Sequence, residues 1–325
     1  MAEPVDSIEL LGNPDEVDSF ATCLTAAITR WGRQFDYSYV AGLTGSVFSP
    51  VLAEDESCSA WWMEFGNDNR MELLGKALGF AYRGSPEVSR EEFEAAGRLP
   101  ELNERFWNSA REAHANGRIV LIGTWPCWSI VTSWSGDLHQ PDVASLKGFG
   151  GLCKPHPTSK LYILSDVPAR MTRVEAIREA LRFGADLADG TFTRPGFSYG
   201  GKLYGAVLDR LDQDCFCADC REKSFNCAVR TMKRVRATNS TAVEFLTHAG
   251  EFLGKQIPQR ALAAVMKGYQ TIADLAEAYI DNEAVHARWA DEAFQARFRS
   301  DVERMRETHV QTARLLRNLV DHLSG

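Results

Sequence analysis

The chain has 325 residues, enough to bury a full hydrophobic core and to form two domains. Its 44 acidic residues against 36 lysines and arginines leave a net charge of −8, which argues against a general binder of nucleic acid or anionic membrane, because either would carry a basic face. Residues 1–16 are acidic and lack the apolar segment of a secretory signal, no run approaches the roughly 20 apolar residues that span a bilayer, and eight cysteines are too few for a disulfide scaffold, so a cytoplasmic protein with mostly reduced thiols is expected.

The first informative stretch is Asp15 to Phe48. Val17, Phe20, Ala21, Leu24, Ala27, Ile28 and Trp31 recur at helical spacing, and Gly32 is a stop signal, so Cys23 is helical and next to the buried stripe. A helix capped by Asp18 or Ser19 puts Cys23 in the first or second turn, where unpaired N–H groups and the positive dipole end favour a thiolate. A start at Asp15 leaves it mid-helix and inert. Gly42 and Gly45 flank Leu43-Thr44 and indicate either tight backbone packing or a turn with an open wall. Val51 to Asn69 reads as a loop whose Trp61, Trp62 and Phe65 either line a pocket or pin the loop to the core.

Met71 to Leu78 reads as a helix closed by Gly79, with a strand at Phe80 to Arg83 and a helix over Phe93 to Asn116. The apolar runs Arg118–Gly123, Trp128–Trp134 and Lys160–Ser165 have the character of sheet strands. From Thr172 onward the segments Val174–Leu187, Leu203–Leu211, Ser224–Val235, Ala242–Leu253, Gln259–Ile280 and Asn282–Leu323 all favour helix, with no strand among them. The fold class is therefore α+β, with an α+β domain over residues 1–168 and an all-helical bundle over 169–325. The basic run Arg230 to Arg236 spreads its charges around a helix and reads as a solvated face. The last helix carries Phe294, Phe298, Val302, Met305, Val310 and Leu315, a stripe to be buried on the bundle or on a second subunit, which makes a homodimer through the C-terminal helices an expected partner arrangement.

The run CLTAAITRWG from Cys23, then YVAGLTGSVF, the Cys58-Ser59-Ala60 turn and LLGKALGF together resemble the papain-like, cysteine-peptidase-like domain that includes the N-terminal part of butirosin biosynthesis protein H. PGFSYGGKLYGAVLDRL and the later TAVEFL are similar to a helical region found beside that domain. The resemblance implies a papain-like domain with a small mixed or antiparallel sheet, a cysteine nucleophile on the main helix, and acyl transfer in secondary metabolism from a thioester on a carrier protein or coenzyme to an amine-bearing small molecule. An acyl carrier protein is then an expected partner, and an acidic surface suits a cationic acceptor.

A cysteine nucleophile needs a base within hydrogen-bond reach and a third group to orient it. The histidine that opens a sheet strand in papain-like folds has no counterpart in Pro126-Cys127-Trp128-Ser129-Ile130-Val131. The substitutes are His139, with Asp137 and Asp142 nearby, and His156, while His114 reads as a surface helix residue. An oxyanion hole would come from the N–H of Cys23 and its neighbours if it lies near the helix start. The candidate set is thus Cys23, His139 and Asp137 for catalysis, with Gly45, Trp61, Trp62, Trp128 and Tyr199 around substrate. Ser198-Tyr199-Gly200-Gly201 either borders a cleft or simply starts a helix.

Cys215, Cys217, Cys220 and Cys227 lie within thirteen residues and can close around a structural zinc, form a redox disulfide, or remain thiols; no other cofactor is expected. Two functional readings stand at this point: a cysteine-dependent acyltransferase or amide-forming enzyme, and a catalytically inactive papain-like protein that binds a small molecule or acts as an accessory. A zinc-bound structural protein is a third, resting on the 215–227 thiols alone.

Overall fold

The computed structural model describes residues 18–53, 67–124, 127–146, 153–193, 195–212 and 226–324. In chain order the elements are α1 (Ser19–Arg30), α2 (Tyr37–Thr44), β1 (Val51–Ala53), α3 (Asn67–Leu78), β2 (Phe80–Gly84), α4 (Arg90–Ala96), α5 (Glu101–Ala115), β3 (Ile119–Thr124), β4 (Cys127–Ser133), β5 (Asp142–Ala144) and β6 (Leu161–Asp166). There follow α6 (Arg173–Ala188), β7 (Phe197–Tyr199), α7 (Gly201–Asp212), α8 (Asn226–Leu253), α9 (Gln259–Glu277), α10 (Asn282–Arg288) and α11 (Glu292–Ser324). The fold is mixed α+β with antiparallel sheets and a helical C-terminal region. The chain falls into two compact units, one formed by 18–37 with 67–172 and the other by 38–53 with 173–324 among the described residues. The division expected at 168/169 placed 38–53 in the first domain; by contact these residues group with the helical unit.

The first unit is built on a five-stranded sheet of order β2-β6-β3-β4-β5, antiparallel throughout. Directly paired residues share a face. Ile122 pairs with Ser129 and with Leu161, which sets Val120, Val131 and Ile163 on the same side, and these pack with Phe106, Trp107, Ala110 and Ala113 of α5. Leu121 pairs with Ile130 and Tyr162, so these three and Trp128 point the opposite way. There α1 covers the sheet: Phe20 meets Trp128 edge-on at 5.2 Å and Tyr162 at 6.4 Å, and the Trp128 N–H donates to Ser19 Oγ at 2.8 Å. Both faces are dry, which is why the strands read as continuous apolar runs rather than alternating ones.

Local chemistry sets the element ends. The Ala21 N–H donates to Asp18 Oδ1 at 3.1 Å, capping α1, and Gly32 takes a left-handed φ of 75° just past it. The single helix expected over Phe93 to Asn116 is two, because Gly97 turns left-handed at φ 64° and Pro100 starts a new N-terminus. Arg33, just after α1, donates to the carbonyls of Leu78, Gly79 and Val167 and pairs with Asp166, tying α1 to the β2–β6 edge.

The helical unit joins Ser224–Val235 and Ala242–Leu253 into one helix, α8, and splits the last expected helix into α10 and α11. It also holds a short antiparallel pair, β1 with β7, where a loop and a strand-free region are expected from sequence. Glycines make its close contacts. A Cβ on Gly42 would lie 1.9 Å from the Phe245 ring, and one on Gly184 2.2 Å from Phe48. The Phe48 ring is itself fully buried, 5.6 Å from Phe245 and 6.2 Å from Tyr269.

Among the described residues Cys127, at the start of β4, is disulfide-bonded to Cys153, whose Cα lies 6.5 Å away. Cys23, by contrast, is a free thiol. Closing a loop of this length is worth about 3–4 kcal/mol in the chain-entropy account. Reduction, or Cys153→Ser, should therefore lower the denaturant midpoint by a corresponding amount without changing the helical signal at zero denaturant; an unchanged midpoint would remove the bridge from the folded state. Two glycine substitutions should also diverge in sign. Helix propensity favours alanine over glycine by about 1 kcal/mol, so Gly205→Ala in α7, whose Cβ meets nothing within 4 Å, should raise Tm, whereas Gly184→Ala in α6 should lower it by overpacking Phe48.

Candidate functional site

Asp18, not Asp15, is the N-cap, so Cys23 is the fifth residue of α1 and begins its second turn. The fork left open by the sequence is resolved toward the helix start, but the thiol is not at an open end. The Thr22 N–H already donates to the Asp18 carbonyl at 2.9 Å, so intrahelical bonding begins one residue before the cysteine. The N–H groups that precede it are spoken for in part: that of Asp18 donates to Tyr37 Oη at 2.7 Å and that of Ala21 to Asp18 Oδ1. Cys23 follows Ser19 by four residues and Phe20 by three, the spacing that shares one helix face. That face lies against the sheet, and Cys23 is 0% exposed.

The proposed base is on the other side. The His139 ring stands edge-on to Trp107 at 5.1 Å, and Trp107 belongs to the α5 cluster with Val120, Ile122 and Ile163. Its orienting partner is also not realised: His139 Nδ1 lies 3.7 Å from Asp137 Oδ1, beyond hydrogen-bond length, because that oxygen accepts from the His139 backbone N–H at 2.8 Å. Asp142 accepts from Ser133 Oγ. His156 sits beside Phe93 at 5.5 Å with Nδ1 2.8 Å from Thr158 Oγ1, and its imidazole is held below the usual range first by burial and then by the charge of Arg90. His114 faces Trp134 at 6.2 Å and is half-buried rather than a surface residue. All three imidazoles of this unit are on the α5 side of the sheet, while α1 covers the opposite face. Cys23, His139 and Asp137 are not assembled into a catalytic group.

The residues expected around substrate are dispersed. Trp128 stacks on Tyr162 at 5.5 Å in the aromatic layer under α1. Gly45 has φ 82° and a Cβ there would lie 2.6 Å from the Phe183 ring, so this glycine serves tight packing, not an open wall. Tyr199 is buried with Val51 and Leu187, in β7. Gly45 and Tyr199 belong to the helical unit and Trp128 to the sheet unit. Trp61 and Trp62 lie outside the described residues, as do Cys215, Cys217 and Cys220, and only the backbone of Cys227 is described, in α8. Among the described residues no group of three or more His, Cys, Asp or Glu side chains could hold a metal ion, and no helix is long and apolar enough to cross a membrane.

A polar cluster not expected from sequence lies in the helical unit. His309 of α11 is fully buried, its Nε2 3.0 Å from the Ala188 carbonyl and its ring 5.7 Å from that of Tyr204 in α7. Asn239 of α8, beside the Tyr204 phenol, donates from Nδ2 to the Val235 carbonyl at 2.6 Å. The sequence signal was there: Phe294, Phe298, Val302, Met305, His309, Thr312 and Leu316 repeat every three or four residues and are all buried, whereas Val310 and Leu315, chosen on hydropathy, are partly exposed.

Burial pushes the His309 imidazole down to about 4, against a smaller upward pull from its hydrogen bond to Ala188. The unfolded chain therefore binds the proton first, and stability fully present above about pH 6.5 is lost as pH falls toward 4, by about 3 kcal/mol. Urea unfolding at pH 7 and pH 4.5 should show this loss in the native protein and a smaller one in His309→Gln; ring protons of His309 that titrate near pH 6.5 in the folded protein would contradict it. No protein-family model and no curated protein matches the chain.

Proposed function

We propose that this chain is a small-molecule-binding or accessory protein on a papain-like scaffold in which Cys23 packs the core rather than attacking a substrate. One observation carries the reading: the sheet separates a fully buried Cys23, on the α1 face, from every imidazole of its unit, on the α5 face. A thiol in an apolar interface is disfavoured as thiolate and packs as a small hydrophobic residue. The helix carrying an early cysteine, laid on an antiparallel sheet, supports the papain-like part of the reading. The net charge of −8 suits a cationic, amine-bearing ligand.

The second reading is cysteine-dependent acyl transfer, favoured by the Asp18 cap, which leaves Cys23 within two turns of the positive helix end. In that scheme the Cys23 thiolate takes the acyl group from a thioester, releasing the carrier thiol, and an amine then attacks the enzyme-bound acyl group, restoring the thiol and forming an amide.

Iodoacetamide at neutral pH separates the two. With Cys23 as a packing residue, it stays unlabelled in the native protein and reacts at once in denaturant, and incubation with an acyl thioester leaves no acyl mass on the protein. Rapid native labelling of Cys23 that an acyl thioester slows would overturn the binding reading and install acyl transfer.

A further inference from the structure

In the helical unit a serine at the start of one helix meets a histidine on another. Gly42 of α2 lies so close to Phe245 of α8 that a Cβ there would come within 1.9 Å of the ring. Ser38 precedes Gly42 by four residues and His248 follows Phe245 by three, so the same close approach brings this next pair together. Ser38 Oγ lies 3.4 Å from His248 Nε2. On the other side of the ring, His248 Nδ1 lies 3.7 Å from Glu251 Oε2. Ser38 is 5% exposed, against 23% for the His248 side chain and 65% for that of Glu251, so the serine is the floor of the group and the other two form its open side. The Tyr39 ring stands edge-on to the imidazole at 6.4 Å, and Phe252 lies 6.4 Å from Tyr39.

What Cys23 lacks, Ser38 has: a base in contact. Nucleophile–base hydrogen bonds in ligand-free enzymes are commonly long and tighten once substrate is bound. We infer that Ser38 and His248 are the nucleophile and general base of an ester-hydrolysing site for small carboxylic esters. Ser38 Oγ adds to the ester carbonyl carbon while His248 Nε2 takes its proton. The carbon–oxygen bond to the alcohol then breaks, and the alcohol leaves with that proton. Water adds to the acyl group on Ser38, giving a proton to Nε2; the acid departs and Oγ regains its proton. Glu251 is too far from Nδ1 to fix the tautomer, and its charge offsets that of the imidazolium formed in each half. The Ser38 backbone N–H, at the second position of α2, has no intrahelical acceptor and is a donor to the developing oxyanion, with no acidic side chain in the first turn to oppose it. The site lies within the helical unit and holds or fails independently of how Cys23 is read.

A fluorophosphonate, which phosphonylates activated serines and releases fluoride, tests this on the native protein without any variant. We expect one phosphonyl group on the peptide carrying Ser38, none when the reagent is added in denaturant, and hydrolysis of p-nitrophenyl acetate that the label abolishes. No label, or a label only on another residue, would overturn the site. His248→Gln should slow both labelling and hydrolysis by about 100-fold or more, the usual contribution of a general base, with the helical signal unchanged. Labelling of that variant at the native rate would equally overturn it. Cys23→Ala separates the two nucleophiles: both reactions should persist in it, and hydrolysis lost with Cys23 would remove the activity from Ser38.

Discussion

Because successive residues of a strand point to opposite faces, the antiparallel pairing of β3 with β4 and β6 decides where every functional group of the first unit can lie. Ile122 opposite Ser129 sends Val120, Val131 and Ile163 toward α5, and Leu121 opposite Ile130 sends Trp128 and Tyr162 toward α1. The sheet is then a wall with a helix on each side. A cysteine on α1 and a histidine packed on Trp107 of α5 are separated by that wall, however close they stand in the order of elements. A slip of one residue between β3 and β4 would exchange every side chain on β4 between the faces, and both hydrophobic layers would lose their complement. The register that gives the unit its two cores is the same register that places His139 on the face away from α1.

The capping geometry of α1 sharpens this. A thiolate at a helix start gains from backbone N–H groups that have no intrahelical partner, and these run out after the first turn. Asp18 caps the helix through Ala21, and the intrahelical ladder has begun by Thr22, so the fifth residue stands past the strongest part of that field. Its four-residue interval from Ser19, whose hydroxyl accepts from the Trp128 N–H, turns it toward the sheet. Position along the helix favours ionisation, and orientation around the helix opposes it.

Much of the architecture was legible in the sequence because it is local. The runs Arg118–Gly123, Trp128–Trp134 and Lys160–Ser165 become β3, β4 and β6 within a residue or so at each end, and the change to helices after Thr172 coincides with the boundary between units. What stayed hidden is non-local. Val51–Ala53 is a strand only because Phe197–Tyr199 lies beside it, and neither segment carries enough alternation to announce itself. Nor does any residue of 38–53 mark that stretch as part of the helical unit. The sidedness of the site depends on pairing register, which hydropathy along one strand does not contain. The stripe of α11 was followed correctly to Met305 and then lost, because the next buried position is a histidine and hydropathy passed to Val310 instead.

That lost position shows how the helical unit is specified. Its glycine contacts, such as Gly268 under Thr312, permit close approach but do not by themselves choose which turn of one helix meets which turn of the next. Polar groups inside the apolar stripes can make that choice. Tyr279 donates to Asp301 Oδ2 at 2.6 Å, and Arg304 lies 3.1 Å from the other oxygen of the same carboxylate, fixing α11 against the segment after α9. Two turns further along α11, His309 meets the Ala188 carbonyl at the end of α6. Sliding α11 by one turn, about 5.4 Å, would bring apolar residues to apolar neighbours almost as well, but it would strand a buried carboxylate and a buried imidazole together. Unpaired buried polar groups cost far more than imperfect hydrocarbon packing, so register in this unit is held by a few hydrogen bonds set in a core that would otherwise tolerate several alignments.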